Sequence, residues 1–427
     1  MKEWKEYKYT ELCTLIGGGT PKTSEPSFWG GDIPWLSVKD FGNGDKYVYS
    51  TEKTITDAGL NNSSTKLLQK DDIIISARGT IGAIAMLASK MAFNQSCFGI
   101  RSNELVDQHY LYYLTKTKIT ELQKNSHGSV FDTITRDTFA KVICSIPPVE
   151  EQKKIVSVLS SLDDKIEINK QINDNFVVEP LFEILLIWML TTPINDNLEQ
   201  QAQALFKSWF VDFEPFKSGE FDESDLGLIP KGWRIEKLGN ICSCLLGGTP
   251  SRNKEEYWNG DIAWINSGEV NEFRITKPSE YITKEGLANS ATKLLPKKST
   301  VLAITGATLG QVSLLEIDSC ANQSVIGVLE NEDIPYVFIY PLINDRITEL
   351  CSHMTGGAQQ HINKNNVEQL DVIVPTNQIL AEYKQKVEPI YSLISNNCIE
   401  TMELAQLRDS LLSRLMTGEL KLDEKTK

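Results

Sequence analysis

The sequence predicts a mixed fold of short strands and helices, written twice along the chain, with a long helix closing each copy. Three observations predict it. A repeat spans about half the chain, strand-type runs lie between glycine-containing turns, and four-three apolar spacing follows an Ile-Pro or Val-Pro step in each copy.

The repeat carries the most weight. Residues 17–35 read GGGTPKTSEPSFWGGDIPW and residues 246–264 read LGGTPSRNKEEYWNGDIAW, so GGTP, Trp29/Trp258, Trp35/Trp264 and Gly-Asp-Ile recur 229 positions apart. Thr65-Lys66-Leu67-Leu68 returns as Thr292-Lys293-Leu294-Leu295, Asn94-Gln95-Ser96 as Asn322-Gln323-Ser324, and Pro147 as Pro375. Ordered matches at a near-constant offset mark a tandem duplication. Within each copy, apolar runs such as 72–77 and 301–305, bounded by turn residues, predict strands.

The helical segments follow. After Ile146-Pro147-Pro148, apolar residues fall at Ile155, Leu159, Leu162 and Ile166, followed by Asn169 and Asn173. After Val374-Pro375 they fall at Tyr383, Val387, Ile390 and Ile394, followed by Asn397. This is the spacing of helices packed along a seam, where a polar residue such as Asn169 or Asn397 sets register. The alternative is two surface helices, each packed on its own domain. Pro389 is expected to kink the second helix locally.

The first helix is interrupted. Ile172-Asn173-Asp174-Asn175 is followed by FVVEPLFEILLIWMLTTP and then by the same four letters at 194–197. Excising 176–197 places Leu198 on the next seam position, with Ala202, Leu205 and Trp209 continuing the rhythm. Leu198, Leu205 and Trp209 then match Leu404, Leu411 and Leu415. A continuous extension would add ~33 Å to one helix and shift the seam by one residue. With Pro180 and Pro193 at hand, the insert is expected to loop out, its apolar residues 185–190 packing on a neighbouring surface.

Length and composition bound the function class. A chain of 427 residues with 41% hydrophobic and 23% charged residues has room for two or three globular domains. The start, MKEWKEYKY, is no cationic-then-apolar leader, and the apolar stretch 181–190 is about half of the ~20 residues a membrane span needs. Eight scattered cysteines without a CxxC pair suit reduced thiols in the cytoplasm. The net charge of −14 neither favours nor excludes nucleic acid, which is gripped by a local basic face.

Catalytic patterns do not emerge. The loops at 17–21 and 247–250 lack the GxxxxGK[ST] spacing, and His109, His127, His353 and His361 form no HExxH. Nucleophile elbow, methyl-donor glycine loop and Asn-Pro-Pro-Tyr amine pocket are missing too. No catalytic residue, metal site or cofactor is expected in this chain. The pairs Asp71-Asp72 and Asp163-Asp164 are expected to be solvated charges.

The polar loops, by contrast, carry DNA-type chemistry. The first copy offers Thr20, Lys22, Ser24 and Lys39, and the second Thr249, Ser251, Arg252, Asn253 and Asn266. Arg78 and Thr80 lie in a turn whose counterpart, Gly306-Ala307-Thr308, lacks the arginine. Gln359 and Gln360, with His361, replace Phe131-Asp132-Thr133. Lys, Arg, Ser and Thr hold phosphate, while Arg, Asn and Gln make bidentate contacts to base edges. Positions shared by the copies are expected to be scaffold, the four repeated tryptophans core, and positions that differ readers of different bases.

Four blocks carry a family resemblance. They are GGTP…Trp…Gly-Asp-Ile-Pro-Trp, Leu228-Ile229-Pro230-Lys231-Gly232-Trp233, the stretch LFKSWFVDFEP at 205–215, and the ending LLSRLMTGEL at 411–420. With them the chain resembles, over essentially its whole length, the specificity (S) subunit of type I restriction-modification enzymes. The resemblance implies an α+β fold for two tandem target-recognition domains, at 1–148 and 217–375. Two long, antiparallel, coiled-coil-like spacers, at 149–216 (with the insert 176–197) and 376–427, would relate them by a pseudo-two-fold axis. It further implies a non-catalytic chain bound to double-stranded DNA, two methyltransferase (M) chains using S-adenosylmethionine, and two restriction (R) chains using ATP and Mg, in the cytoplasm. A spacer of about 40 residues, ~60 Å long, would separate the domains by a turn or more of duplex, ~34–36 Å each. The target would then be bipartite and asymmetric. The insert is a departure from the family pattern. Phe210, Val211, Phe213 and Phe216 would either cover the junction of helix and second domain or dock an M chain. The competing function is a protein- or glycan-binding repeat protein that oligomerises through its helices.

Overall fold

The computed structural model describes residues 4–41, 44–125, 133–175, 198–352 and 361–420, with the backbone alone for 171–175. It divides into two compact units, Met1–Glu167 with Glu403–Lys427, and Ile168–Met402.

In the first unit, a five-stranded sheet runs in the order Cys13–Gly17, Cys97–Ser102, Ile73–Ser76, Ile84–Leu87, Tyr47–Val48. The run Ile73-Ile74-Ile75 is wholly buried because this central strand has side chains packed on both faces. A second sheet runs Lys53–Ile55, Trp29–Leu36, Met91–Phe93, Leu67–Leu68. The helix Gln108–Lys124 starts at Asp107, whose carboxylate accepts the N–H groups of His109 and Tyr110 at 2.9 and 3.1 Å. Its Tyr110, Leu111 and Tyr113 pack into the core beneath the first sheet.

The second unit repeats the plan. One sheet runs Ser243–Leu246, Val325–Leu329, Thr300–Ala303, Val312–Leu314, and the other Glu280–Ile282, Trp258–Ile265, Ser319–Ala321, Leu294–Leu295. The helix Tyr336–Ser352 takes the place of Gln108–Lys124. Even irregularities repeat. Strand register shifts between Trp29 and Ile33, where Gly30 has φ +78°, and between Trp258 and Ile262, where Asn259 has φ +61°. A left-handed backbone suits glycine best and asparagine next, which is why these two residues exchange here.

The seam residues are buried as expected. Ile155, Leu159, Ile166 and Asn169 lie inside along the helix Val149–Asn175, with Leu162 half-buried. Tyr383, Val387, Ile390, Ile394 and Asn397 do the same along Asn377–Met416, which continues through Pro389. In the first unit Ile155 and Leu159 share a core with Leu412 and Leu415, while Asp163 meets Arg408. In the second, Asn169 Nδ2 donates to Glu400 Oε2 at 2.7 Å and Phe210 meets Tyr383. Within each unit the helical segments therefore run antiparallel, and they pack on the domain cores as well as on each other.

The helix Leu198–Phe210 departs from its expected face. Its buried stripe is Leu198, Ala202, Phe206 and Phe210, while Leu205 and Trp209 are only half-buried. The stripe is rotated because Phe206 and Phe210 insert against Phe338 of the second domain, at ring distances of 5.7 and 5.0 Å. Phe213 and Phe216 pack on Trp233 at 5.6 and 5.1 Å, so packing within the chain accounts for Phe210, Phe213 and Phe216; Val211 stays exposed. The insert 176–197, with its apolar stretch, lies outside the described residues.

Two of the carboxylates expected in solvent are buried. Asp72 is 3% exposed and takes a two-pronged pair from Arg101 at 2.8 and 2.5 Å. Asp163, 6% exposed, accepts from Arg408 Nη1 at 2.8 Å and from the Tyr113 hydroxyl, with Lys46 Nζ at 3.9 Å. Burial lowers the Lys46 pKa and Asp163 opposes that shift. The second unit has a related lock: Arg274 pairs with Glu199 at 2.5 Å between Phe273, Tyr340 and Tyr391. Paired charges tolerate burial that lone ones do not.

Candidate nucleic-acid interface

Three sequence blocks that recur separately along the chain converge in space. Gly18 lies so close to Asn94 and Phe93 that a Cβ on it would meet Asn94 O at 2.1 Å, and Gly19 is equally tight against Ser64 and Thr65. Gly247 and Gly248 sit in the same way on Asn322 and Thr292. Only glycine permits such backbone approach. Trp35 Nε1 donates to Gly19 O and Trp264 Nε1 to Gly248 O, each at 3.1 Å. Thr65 and Thr292 donate to the carbonyls of Phe93 and Ala321 at 2.7 and 2.9 Å. GGTP, TKLL and NQS are thus one knot, and the tryptophans are its core: Trp29 meets Trp35 edge-on at 5.1 Å and Trp258 meets Trp264 at 5.2 Å.

The knot gathers the candidate loops at one end of each pair of sheets. Asn94 N–H bonds Leu36 O, just before the turn that carries Lys39, and Ala77 N–H bonds Ser96 O, just before Arg78. Asn322 N–H bonds Ile265 O, just before Asn266, and Ile304 N–H bonds Ser324 O. Ile362 N–H bonds Ile304 O, so the chain two residues beyond Gln360 lies at this end. Gln359 and Gln360 themselves lie outside the described residues.

Lys22, Ser24, Lys39, Arg78 and Thr80 are exposed, and Lys22, Lys39 and Arg78 have no ion pair among the described residues. Lys22 is tied to the tryptophan pair, since Trp29 Nε1 donates to Lys22 O at 3.1 Å. Thr20 is half-buried, and its hydroxyl donates to Gln95 Oε1; Thr249, which is exposed, donates to Gln323 Oε1 at 2.5 Å. Asn266 is half-buried and occupied with its turn, accepting Gly268 N–H at 2.7 Å. Its counterpart is Ser37, which forms a similar turn with Asp40. The Arg78 turn is one residue shorter than its partner: Gly79 and Gly306 share φ +77°, so Arg78 stands opposite Thr305 rather than Gly306.

Ser251, Arg252 and Asn253 are exposed. Arg252 lies flat over Trp258, 3.6 Å from the ring centre, and both prongs of its guanidinium reach Glu280 at 2.8 and 2.6 Å. The bond raises the arginine pKa and lowers that of Glu280, so the pair stays charged. Strand register sets Glu280 beside Trp264, the place that Lys53 holds beside Trp35 in the first copy, where Thr23 replaces Arg252. The two tryptophan platforms thus carry different charge patterns. Gln95 and Gln323, both exposed, stand at the centre of their loop sets; the sequence displayed them only as repeat markers.

Among the described residues, no group of three or more His, Cys, Asp and Glu is placed to hold a metal, and no helix is long and apolar enough to cross a membrane.

A family model, the type I restriction modification DNA specificity domain, matches residues 1–175 and 230–408. The specificity subunit of the type I restriction enzyme MjaIX from Methanocaldococcus jannaschii is 31% identical, the match covering 99% of this chain and 95% of that one. The HindI specificity subunit from Haemophilus influenzae is 24% identical over 98% of this chain and 100% of its own length. A solved type I restriction-modification S subunit from M. genitalium shares the fold, with TM-score 0.52 at 16% identity, covering 99% of this chain and 97% of that one. The doubled domain, the paired helices and these matches agree: the chain belongs to the type I restriction-modification specificity subunits, non-catalytic chains whose work is sequence-specific DNA recognition.

Proposed function

We propose that each of the two domains, 1–148 and 217–375, reads one half of a bipartite, asymmetric duplex target. The helical segments 149–216 and 376–427 would act as coiled-coil spacers that set the half-site separation and receive the partner chains. The observation that carries this is the loop knot built twice on one scaffold with different exposed residues around it. Lys22, Ser24, Lys39, Arg78 and Thr80, with Thr20, face one half-site. Ser251, Arg252, Asn253, Asn266, Gln359 and Gln360, with Thr249, face the other. The lysines hold phosphate, and Arg78, Asn253 and the glutamines read base edges, as does Arg252 once its fork leaves Glu280.

The partners in this proposal are the M and R chains of a type I complex in the cytoplasm, two of each. M chains would bring S-adenosylmethionine and adenine-N6 methyl transfer, and R chains ATP and Mg. This chain brings no cofactor. Methylome sequencing of cells carrying the M partner, with and without this chain, tests the proposal. A two-part adenine-methylation motif should appear only when the chain is present. A methylome unchanged by its presence refutes the proposal.

A further inference from the structure

We infer that Gln95 and Gln323 are a matched pair of backbone anchors, each donating its side-chain amide to a DNA phosphate at the same place in its half-site. The inference rests on the DNA-reading function proposed above. Each glutamine is exposed, sits in the same Asn-Gln-Ser turn, and has its Oε1 occupied by a threonine hydroxyl of the GGTP loop. Asn94 and Asn322 hold the turn from within, each accepting the N–H of Ser96 or Ser324 at 3.0 Å.

The knot does not need these side chains. Gly19 N–H to Phe93 O at 2.9 Å, Gly248 N–H to Ala321 O at 2.8 Å and the tryptophan bonds already tie it. Ordering an exposed glutamine costs rotamer entropy comparable to what one surface hydrogen bond returns. A fixed glutamine therefore gains the fold little, yet the arrangement occurs twice. What it does provide is an amide NH2 held in place before the ligand arrives, with no partner for Nε2 among the described residues.

Two observations select phosphate over a base. Bidentate recognition of adenine by glutamine needs Oε1 and Nε2 together, and here Oε1 faces the threonine. The glutamine is also common to both copies, while its neighbours differ: Lys39 against Gly268, Thr23 against Arg252, Arg78 against Thr305. A group common to both readers suits what every sequence shares, the sugar–phosphate backbone.

The test uses the full chain assembled with its M partner. Gln95→Ala and Gln323→Ala should each weaken binding roughly ten-fold, to the cognate duplex and to a random duplex pool alike. The methylated motif and the salt slope should stay as in the wild type, because a neutral donor releases no counterion. Gln95→Glu keeps the acceptor for Thr20 and adds a negative charge, so it should weaken binding further in a chain that melts normally; it carries the test if the alanine variant fails to fold. Unchanged affinity in the folded variants overturns the inference in favour of a purely structural bond. A motif relaxed at one position overturns it in favour of a base contact. A wild-type complex that shows no salt-dependent duplex binding overturns the DNA-reading function itself.

Discussion

Glu199→Gln probes the lock between the helix Leu198–Phe210 and the second domain. The Arg274 side chain is 1% exposed, with Glu199 Oε2 at 2.5 Å, Phe273 O at 2.8 Å and the Tyr340 hydroxyl at 3.2 Å. Its Nε has no partner among the described residues. Replacing the carboxylate by an amide leaves the guanidinium buried with only neutral oxygens and aromatic faces around it. Breaking a buried pair in this way costs about 3–5 kcal/mol. Amide hydrogen exchange is the suitable assay, because two units need not unfold together and a single melting curve would mix them. Protected amides of Leu198–Phe210 and Tyr336–Ser352 should exchange roughly 10²- to 10⁴-fold faster, with those of Gln108–Lys124 unchanged. The double variant Glu199→Gln/Arg274→Met removes the stranded charge and should restore much of the protection. A single variant that alters exchange less than five-fold would refute the reasoning.

Arg252→Ala should relax only the half of the target read by the second domain, by ~1–3 kcal/mol of base discrimination in binding to point-variant duplexes. Glu280→Gln should release the Arg252 fork, tighten binding to random duplex and steepen the salt dependence by about one unit; loss of discrimination in the other half-site would contradict this assignment. Burial raises the pKa values of Tyr9, Tyr110, Tyr113, Tyr383 and Tyr391 above the usual value of about 10. A raised folded pKa contributes stability that is fully present below the unfolded value and is lost as pH climbs above it. Alkaline unfolding should therefore set in above pH ~10, with a cooperative step in tyrosinate absorbance that coincides with loss of circular dichroism. Smooth titration of every tyrosine near pH 10 in a folded chain would show the burial to have no such effect.

By itself, the sequence determined the duplication, the strand runs, the helical seam and the structural role of the tryptophans. Each of these rests on periodicity or repetition, which burial on one face of a strand or helix writes directly into residue order. Seam residues such as Leu159 and Tyr383 were legible for that reason. Candidate loops were legible as a set, because a polar difference between two otherwise matched copies is visible in the letters alone. What the tertiary structure decided is which distant residues meet. Asp72 and Asp163 looked like surface charges until Arg101 and Arg408 were found against them, 29 and 245 positions away. Arg252 looked free until Glu280 took its fork. Leu205 and Trp209 matched the seam by count, yet Phe206 and Phe210 won the buried face, since their rings pack on Phe338. GGTP, TKLL and NQS are separate marks in the chain and one contact in space. Spacing along a chain records which face of an element is buried; long-range pairing of charges and close approach of backbones depend on the path between elements, and only the folded chain sets that path.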